Sequence, residues 1–139
     1  ARLIEGEIHL VLPEDAQGHA ELKTIRTLLS RVVASDFLPE ITRRVHELND
    51  RHFGRKVKGV RLKYTHSRWG SCSARGNINL STRLLFAPPE VIDYVIIHEL
   101  AHRIEPNHSP RFWKQVARVM PEYEQHEHWL KENQHLCDF

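Results

Sequence analysis

The 139-residue sequence predicts an α+β fold in which about four or five helices pack on a small, mostly antiparallel sheet. Short segments of alternating polarity at residues 4–12, 57–64, 68–73 and 77–82 predict strands. Longer segments with apolar residues three and four positions apart lie around them and predict helices. Because about 100–150 residues is the commonest domain size, residues 1–139 are expected to form a single domain.

The N-terminal part is predicted to hold one strand and two helices. The strand covers residues 4–12, which are rich in Ile, Leu and Val, and a helix follows over residues 19–35. Proline lacks the backbone N–H that a helix interior needs, so Pro39 is expected to separate this helix from a second one. Gly54 is expected to end that second helix.

The remaining chain is predicted to hold three strands and three helices. The last two strands flank a turn at residues 73–76, where Gly76 can adopt a positive φ without strain. A helix is predicted at residues 89–103, and others begin at Pro110 and Pro121, because proline suits the first turn of a helix.

The composition is that of a soluble globular protein. Charged residues make up 27% of the chain and hydrophobic residues 40%. No apolar run approaches the roughly 20 residues of a transmembrane helix, and no secretory signal is recognisable. Contact with a membrane is therefore not expected. Two cysteines, Cys72 and Cys137, are too few for a disulfide scaffold, so a cytoplasmic location is expected. A start at Ala1 rather than Met is compatible with a fragment or a processed chain.

Positive charge is concentrated in one part of the chain. Residues 21–68 contain 12 Lys/Arg and 5 Asp/Glu, whereas residues 105–139 contain 4 and 6. The net charge of +2 is not that of a dedicated nucleic-acid-binding protein. Solvated helix faces are one explanation, and a surface for polyanions or acidic substrates is the other. On the second explanation, residues 56–68 are expected to make weak contact with nucleic acid.

The most informative motif is HELAH at residues 98–102, inside the helix predicted at residues 89–103. Residues four apart on a helix share a face, so His98 and His102 can bind one metal ion. His108 follows beyond a Pro-Asn turn that lets the chain fold back, and it supplies a third ligand. Three protein ligands and one open position are typical of catalytic Zn²⁺.

Glu99 follows the first of these histidines and is the predicted catalytic base. Zn²⁺ lowers the pKa of a bound water to about 7, and Glu99 is expected to accept a proton from that water. A further donor should stabilise the developing negative charge, and the candidates are Tyr123, His126, His128 and Arg68. The alternative is a helix whose histidines bind no metal.

The hairpin before this helix is the predicted substrate-binding element. A glycine inside a strand, Gly70, indicates a bulge or a close backbone approach. A peptidase can hold an extended substrate as an added strand on an exposed sheet edge. Trp69, Gly70 and Ser71, together with Tyr123, are therefore the candidate substrate-binding residues. The alternative is an ordinary hairpin with Trp69 in the core.

Motifs on both sides of HELAH resemble the YgjP-like metallopeptidase domain, a family similar to the Wss1-like and SprT-like peptidases. They lie within residues 57–129 and are RWGSCS (68–73), GNINL (76–80), APP (87–89), IDYV (92–95), HELAH (98–102), NHS (107–109) and FW (112–113). The resemblance implies a compact zincin-like fold with Zn²⁺ as the cofactor. It implies that His98, His102 and His108 bind the metal and that Glu99 is the catalytic acid/base. It also implies that residues 1–18 are a remnant of a strand-rich segment.

These observations predict a zinc-dependent metallopeptidase that hydrolyses peptide bonds in a peptide or protein substrate. An alternative from another class is a nucleic-acid-associated module with a structural or regulatory zinc site. Such a site would be closed by four ligands and would not need a carboxylate at Glu99. A hydrolase of non-peptide amides would have the same site chemistry as the peptidase.

Overall fold

The computed structural model of the chain describes residues 2–4, 7–9 and 18–134. Within these ranges the predicted α+β class is confirmed. The strands are β1 (Arg2–Ile4), β2 (Glu7–His9), β3 (Gly59–Lys63), β4 (Gly70–Cys72) and β5 (Asn77–Ser81). The helices are α1 (Gly18–His52), α2 (Pro89–Ala101), α3 (Pro110–Val119) and α4 (Tyr123–Glu132). A 3₁₀ turn over Thr82–Phe86 connects β5 to α2.

The five strands form two small sheets. β1 and β2 pair antiparallel, and β5 lies between its parallel partner β3 and its antiparallel partner β4. Most of the described pairings are thus antiparallel, as predicted. The single strand predicted over residues 4–12 is wrong, because residues 2–4 and 7–9 form two strands that pair with each other. Alternation is the same in one long strand and in two short ones, and residues 5, 6 and 10–12 lie outside the described residues.

A single helix, α1, replaces the two helices predicted on either side of Pro39, so that prediction is wrong. Proline costs about 3 kcal/mol in a helix interior. The part of α1 that follows it buries three apolar side chains in the core, those of Ile41, Val45 and Leu48. Each buried side chain of this size contributes about 1.5–3 kcal/mol, so packing outweighs the local loss. The chain leaves α1 near Gly54, as predicted, and this glycine has a φ of 62°.

The core lies between the sheet and α2. One face of the three-stranded sheet contributes Leu62, Ile78 and Leu80, and α2 buries apolar residues along its whole length. The opposite faces of the strands carry polar and charged residues, as alternation requires. Among the helices that the structure describes, none combines the length and the apolar character needed to cross a membrane.

Candidate metal centre

Two of the predicted metal ligands lie at the C-terminal end of α2, where His98 is in the last turn and His102 is the C-cap residue. His98 and His102 are four residues apart, so they share one side of the helix, and their ring centroids are 5.2 Å apart. Other sides of α2 are packed in the core, where Ile96 and Leu100 are 0% exposed. Because this packing fixes the helix, the two imidazoles are held toward a cleft on the protein surface.

The third predicted ligand lies in the turn between α2 and α3. Ser109 is the N-cap of α3, where its hydroxyl accepts a hydrogen bond from the Phe112 N–H, and Pro110 is the first helical residue. This helix start, which the sequence predicts, fixes the reversal of the chain after α2. His108 thereby comes to 4.7 Å from His102, measured between ring centroids.

The three imidazoles lie close enough together to bind one metal ion. One ring nitrogen from each of His98, His102 and His108 lies within 4.8 Å of the others. Nδ1 of His102 lies 3.1 Å from the carbonyl oxygen of Glu105, which can only accept, so Nδ1 carries the proton and Nε2 has a free lone pair. This Nε2 lies 3.1 Å from Nε2 of His108. A contact this short has a proton on one of the two nitrogens or a cation between them, and three imidazole nitrogens this close together fit a divalent metal.

Aromatic rings of α3 hold these imidazoles in place. The buried Phe112 ring stacks on His102 with 4.3 Å between centroids, and Trp113 lies 5.7 Å from His98. Partial burial, and then the neighbouring imidazoles of His102 and His98, lower the pKa of His108 below its usual value of 6.5. His108 is therefore neutral at pH 7, as a metal ligand has to be.

Glu99 is buried beside the histidines. The residue is 5% exposed, and its Oε2 lies 3.0 Å from Nδ1 of His98. Gly70 of β4 faces it, since a Cβ at Gly70 would lie 3.2 Å from Cγ of Glu99 and 3.0 Å from the Asn79 carbonyl oxygen. The close backbone approach that a glycine inside a strand predicts is present, and it brings β4 against α2.

A cleft follows β4 on both sides of Glu99. One cavity, of about 360 Å³, lies toward α4 and is named the α4 cavity. The other, of about 590 Å³, lies toward the turn between β4 and β5 and is named the turn cavity. Four residues line both cavities, and they are Arg68, Gly70, His98 and Glu99. The catalytic candidates thus lie where the two cavities meet.

Three of the four predicted substrate-binding residues lie in this cleft. Trp69 lines the α4 cavity, Ser71 lines the turn cavity and Gly70 lines both. Tyr123 lines neither cavity, because its ring stacks on Trp113 with 5.3 Å between centroids. Trp113 therefore stands between Tyr123 and the histidines.

The structure also distinguishes among the four hydrogen-bond donors that are predicted to stabilise the developing negative charge. Of the four candidates, only Arg68 lines the cleft. Tyr94, which sequence reasoning missed, lines the α4 cavity beside His98. Its position four residues before His98 on α2 was the signal that could have found it. Burial, and then the carboxylate of Glu127 at 3.5 Å from its hydroxyl, raise the pKa of Tyr94, so the phenol keeps its proton.

The fold is similar to that of two archaeal metallopeptidase zymogens known from crystal structures. For Pyrococcus abyssi abylysin, the TM-score is 0.58 at 25% identity, over 66% of this chain and 93% of that one. For Methanocaldococcus jannaschii jannalysin, the TM-score is 0.57 at 23% identity, over 69% and 96%. No protein of curated function matches the chain in sequence.

The fold and the histidine cluster are those of a metal-dependent peptidase, which confirms the predicted enzyme class. The chain belongs to the YgjP-like metallopeptidase family, because the family model for the YgjP-like metallopeptidase domain matches residues 4–133. The family predicted from the motifs is therefore confirmed, and the match extends well beyond residues 57–129, which carry those motifs.

Proposed function

We propose that the protein is a zinc-dependent peptidase in which His98, His102 and His108 bind Zn²⁺ and Glu99 is the general base. One observation carries the proposal: three imidazole nitrogens lie within 4.8 Å of one another beside a buried carboxylate, where two open cavities meet. When bound, Zn²⁺ polarises the scissile carbonyl and lowers the pKa of a water molecule to about 7.

The donor set favours zinc over harder ions. Imidazole nitrogens are typical ligands of Zn²⁺, whereas Mg²⁺ and Ca²⁺ prefer oxygen. Within the part of the chain that the structure describes, no fourth His, Cys, Asp or Glu joins the cluster. A site with three protein ligands keeps one position open, as catalytic zinc sites do.

Glu99 is well placed to move a proton. Its carboxylate lies at the junction of the two cavities, and contact with Gly70 and His98 limits its orientations. In the proposed reaction, Glu99 accepts a proton from the attacking water and donates it to the leaving amine. The restricted side chain keeps this proton close to both reacting groups.

The position of β4 supports a substrate bound as an added strand. β5 pairs with one side of β4, and no described strand pairs with the other, so β4 is an edge strand along the cleft. An extended peptide can form main-chain hydrogen bonds with such an edge and place side chains in both cavities. A peptide or protein substrate is the class that this geometry favours.

Arg68 and Tyr94 are the residues proposed to donate hydrogen bonds to the negative charge that develops on the substrate. Both line the α4 cavity beside Glu99. Both are hydrogen-bond donors at neutral pH, because a guanidinium does not deprotonate and the raised pKa of Tyr94 keeps its proton in place. Removal of one donor of this kind typically lowers kcat by about 10²–10³.

Parallel assays of wild-type protein and Glu99→Gln test the proposal. The substitution keeps the shape of the side chain and removes its capacity to accept the proton. We expect about one Zn²⁺ per chain in both proteins and a loss of kcat of about 10²–10⁴ in the variant. Metal analysis and cleavage of casein or a peptide library provide the two measurements, and His46→Gln, at an exposed position of α1, is the control.

The other outcomes identify the alternatives. Zinc in both proteins without cleavage by either would favour a nucleic-acid-associated module with a structural or regulatory metal, or a hydrolase of non-peptide amides. Absence of metal from the wild-type protein would contradict the proposed ligands. The cytoplasmic location stays a prediction, which fractionation of cells that express the protein can check.

A further inference from the structure

Carboxylates are absent from one continuous stretch of the chain. Residues 51–89 contain nine Lys/Arg and no Asp/Glu, whereas the other 100 residues contain eleven Lys/Arg and eighteen Asp/Glu. The stretch comprises β3, β4, β5 and their connections. The three-stranded sheet, whose edge strand β4 borders the cleft, is therefore the positively charged part of the molecule.

Three of these cations, together with Arg103, surround the turn between β4 and β5. The Lys58 N–H donates to the Gly76 carbonyl oxygen at 2.8 Å, which ties the start of β3 to the turn. On the other side, Arg103 donates from Nε to the Lys56 carbonyl oxygen at 3.2 Å and from Nη1 to the Ala74 carbonyl oxygen at 3.1 Å. With the turn residue Arg75, they form a group named here the turn cations: Lys56, Lys58, Arg75 and Arg103.

The turn cations are available to a ligand. Lys56, Lys58 and Arg75 are exposed, and none of them forms an ion pair within the described ranges. Arg103 lines the turn cavity, in which the single lining carboxylate is that of Glu99. A polypeptide that leaves the cleft over this turn therefore passes several positive charges that form no ion pair with the carboxylates of residues 18–134.

The opposite end of the cleft has a different charge. Glu127 and Lys131 line the α4 cavity and pair with each other at 3.7 Å. Glu124 and Glu132 of α4 are exposed nearby. Arg68 lines both cavities, so its charge does not distinguish the two ends. The turn end of the cleft thus has Arg103 in its lining and three exposed cations around the turn, whereas at the α4 end the lining cation Lys131 is paired with a glutamate.

We propose that the turn cations form a specificity site for acidic residues of the substrate, a few residues away from the bond that is cleaved. The proposal rests on the proposed function, because it names the class of polypeptide that the peptidase prefers. An extended chain rises about 3.3 Å per residue, so a peptide paired with β4 passes Glu99 and reaches the turn within a few residues. Each exposed ion pair contributes little, but several together are expected to change kcat/KM about tenfold.

Two peptides of identical composition test the proposal. Both contain the same neutral, cleavable core; one has a run of glutamates before it and a run of lysines after it, and the other has the two runs exchanged. We expect the zinc-loaded wild-type protein to cleave one of them with a kcat/KM about tenfold above the other. The difference should vanish at about 1 M salt, where the screening length falls to about 3 Å.

Charge-reversal variants test whether the turn cations cause the preference for one peptide over the other. Arg75→Glu with Lys58→Glu should abolish or invert the preference and leave cleavage of the neutral core alone unchanged. Arg31→Glu with Lys114→Glu makes the same change of net charge at exposed positions of α1 and α3, outside the turn between β4 and β5, and it should retain the preference. Equal cleavage of both peptides by the wild type, or equal loss of preference in the two double variants, would overturn the proposal.

A binding experiment separates this proposal from the proposed function. If the neutral core is not cleaved, the peptidase proposal fails, and fluorescence anisotropy of the labelled peptides with zinc-loaded Glu99→Gln protein still measures the charge preference. Tighter binding of one peptide, lost in the Arg75→Glu/Lys58→Glu background, supports the specificity site. If a single-stranded DNA oligonucleotide binds more tightly than both peptides through the same two residues, the turn cations belong to the nucleic-acid contact expected for residues 56–68, and the proposal is overturned.

Discussion

The helices α1 and α2 differ in what holds them in place. α1 has 35 residues, but among its described side chains only four are buried, whereas α2 has 13 residues and buries eight. Leu28 and Phe37 of α1 are 40% and 36% exposed, while Ile96 and Leu100 of α2 are 0% exposed. His98 thus lies on the helix that packing fixes on most sides, and His102 directly follows it. Burial rather than length decides which helix can hold ligands within the small tolerances that a metal site needs.

The polar residues of the two helices also differ in what they contact. On α1, Arg44 donates from Nε and Nη2 to the carboxylate of Asp93 on α2, at 2.8 and 2.6 Å, and this bidentate pair joins the helices near the surface. On α2, His98 and Glu99 instead face the cleft. Replacement of His98 or Glu99 is therefore expected to affect function, whereas replacement of Arg44 is expected to affect stability alone.

The largest expected effect distinguishes the histidines of the two helices. His102→Ala removes a proposed ligand, so the zinc content should fall from about one ion per chain to almost none, and peptidase activity should be lost with it. His46→Ala, at an exposed position of α1, should change neither. Metal analysis after dialysis, combined with a peptide assay, measures both. Retention of zinc by His102→Ala would show that the cluster does not bind the metal as proposed.

The second effect compares apolar residues. Ile96→Ala leaves a cavity in the core beside α2 and should lower the free energy of unfolding by about 2–5 kcal/mol. Leu28→Ala, at an exposed position of α1, should change it by no more than about 0.5 kcal/mol. Chemical denaturation in the presence of a chelator measures both without the contribution of the metal. Similar losses in the two variants would mean that α1 is packed as tightly as α2.

The third prediction compares the stability and kcat of alanine variants at two glycines, Gly70 beside α2 and Gly54 after α1. Gly70→Ala places a methyl group 3.2 Å from Cγ of Glu99 and 3.0 Å from a backbone oxygen, so β4 or α2 has to shift. We expect a loss of about 1–3 kcal/mol in stability and a lower kcat. Gly54→Ala, after α1, meets no atom within 4 Å but forces a φ of 62° on an L residue, which costs about 1–2 kcal/mol. Its kcat should be unchanged, and a fall equal to that of Gly70→Ala would refute the distinction.

The smallest expected effect concerns the contact between the helices. Arg44→Ala should lower stability by about 1 kcal/mol, because the paired side chains are 34% and 22% exposed and solvent screens their attraction. A double-mutant cycle with Asp93→Asn, measured by denaturation at low and high salt, isolates the pair. A coupling energy that does not change with salt would indicate that packing of the side chains, rather than their charge, joins α1 to α2.

Short-range signals predicted much of the site. The four-residue spacing of His98 and His102, and the helix start at Ser109 and Pro110, predicted the elements that bring His108 back to them. These features depend on residues that are close in the chain, so helix geometry and capping alone are sufficient to predict them. Gly70 predicted a close approach of the backbone to a neighbouring segment, because a glycine inside a strand often marks a position with no room for a side chain.

Predictions failed where distant residues decide the outcome. Pro39 lies inside α1 because Val45 and Leu48, further along the helix, pack in the core. The prediction considered only the local energetic cost of a proline in a helix and not this packing. The substrate-binding role of Tyr123 stays a prediction, although its ring packs on Trp113 and lines neither cavity. Tyr94 was missed, although it shares a side of α2 with a proposed ligand, because the cavity that it lines needs α4 as a wall.

Sequence patterns alone were sufficient to predict the helix that carries His98 and Glu99, the turn that returns His108 to them and the family to which the chain belongs. Helix periodicity and capping are properties of neighbouring residues, so they can be recognised without the fold. The folded chain was needed to show that β3 runs parallel to β5, that β4 is the edge strand against α2 among the described strands, and that Arg103 links the turn between β4 and β5 to the cleft. These arrangements depend on which distant segments pair, and the alternation of side chains along a strand does not specify its partner.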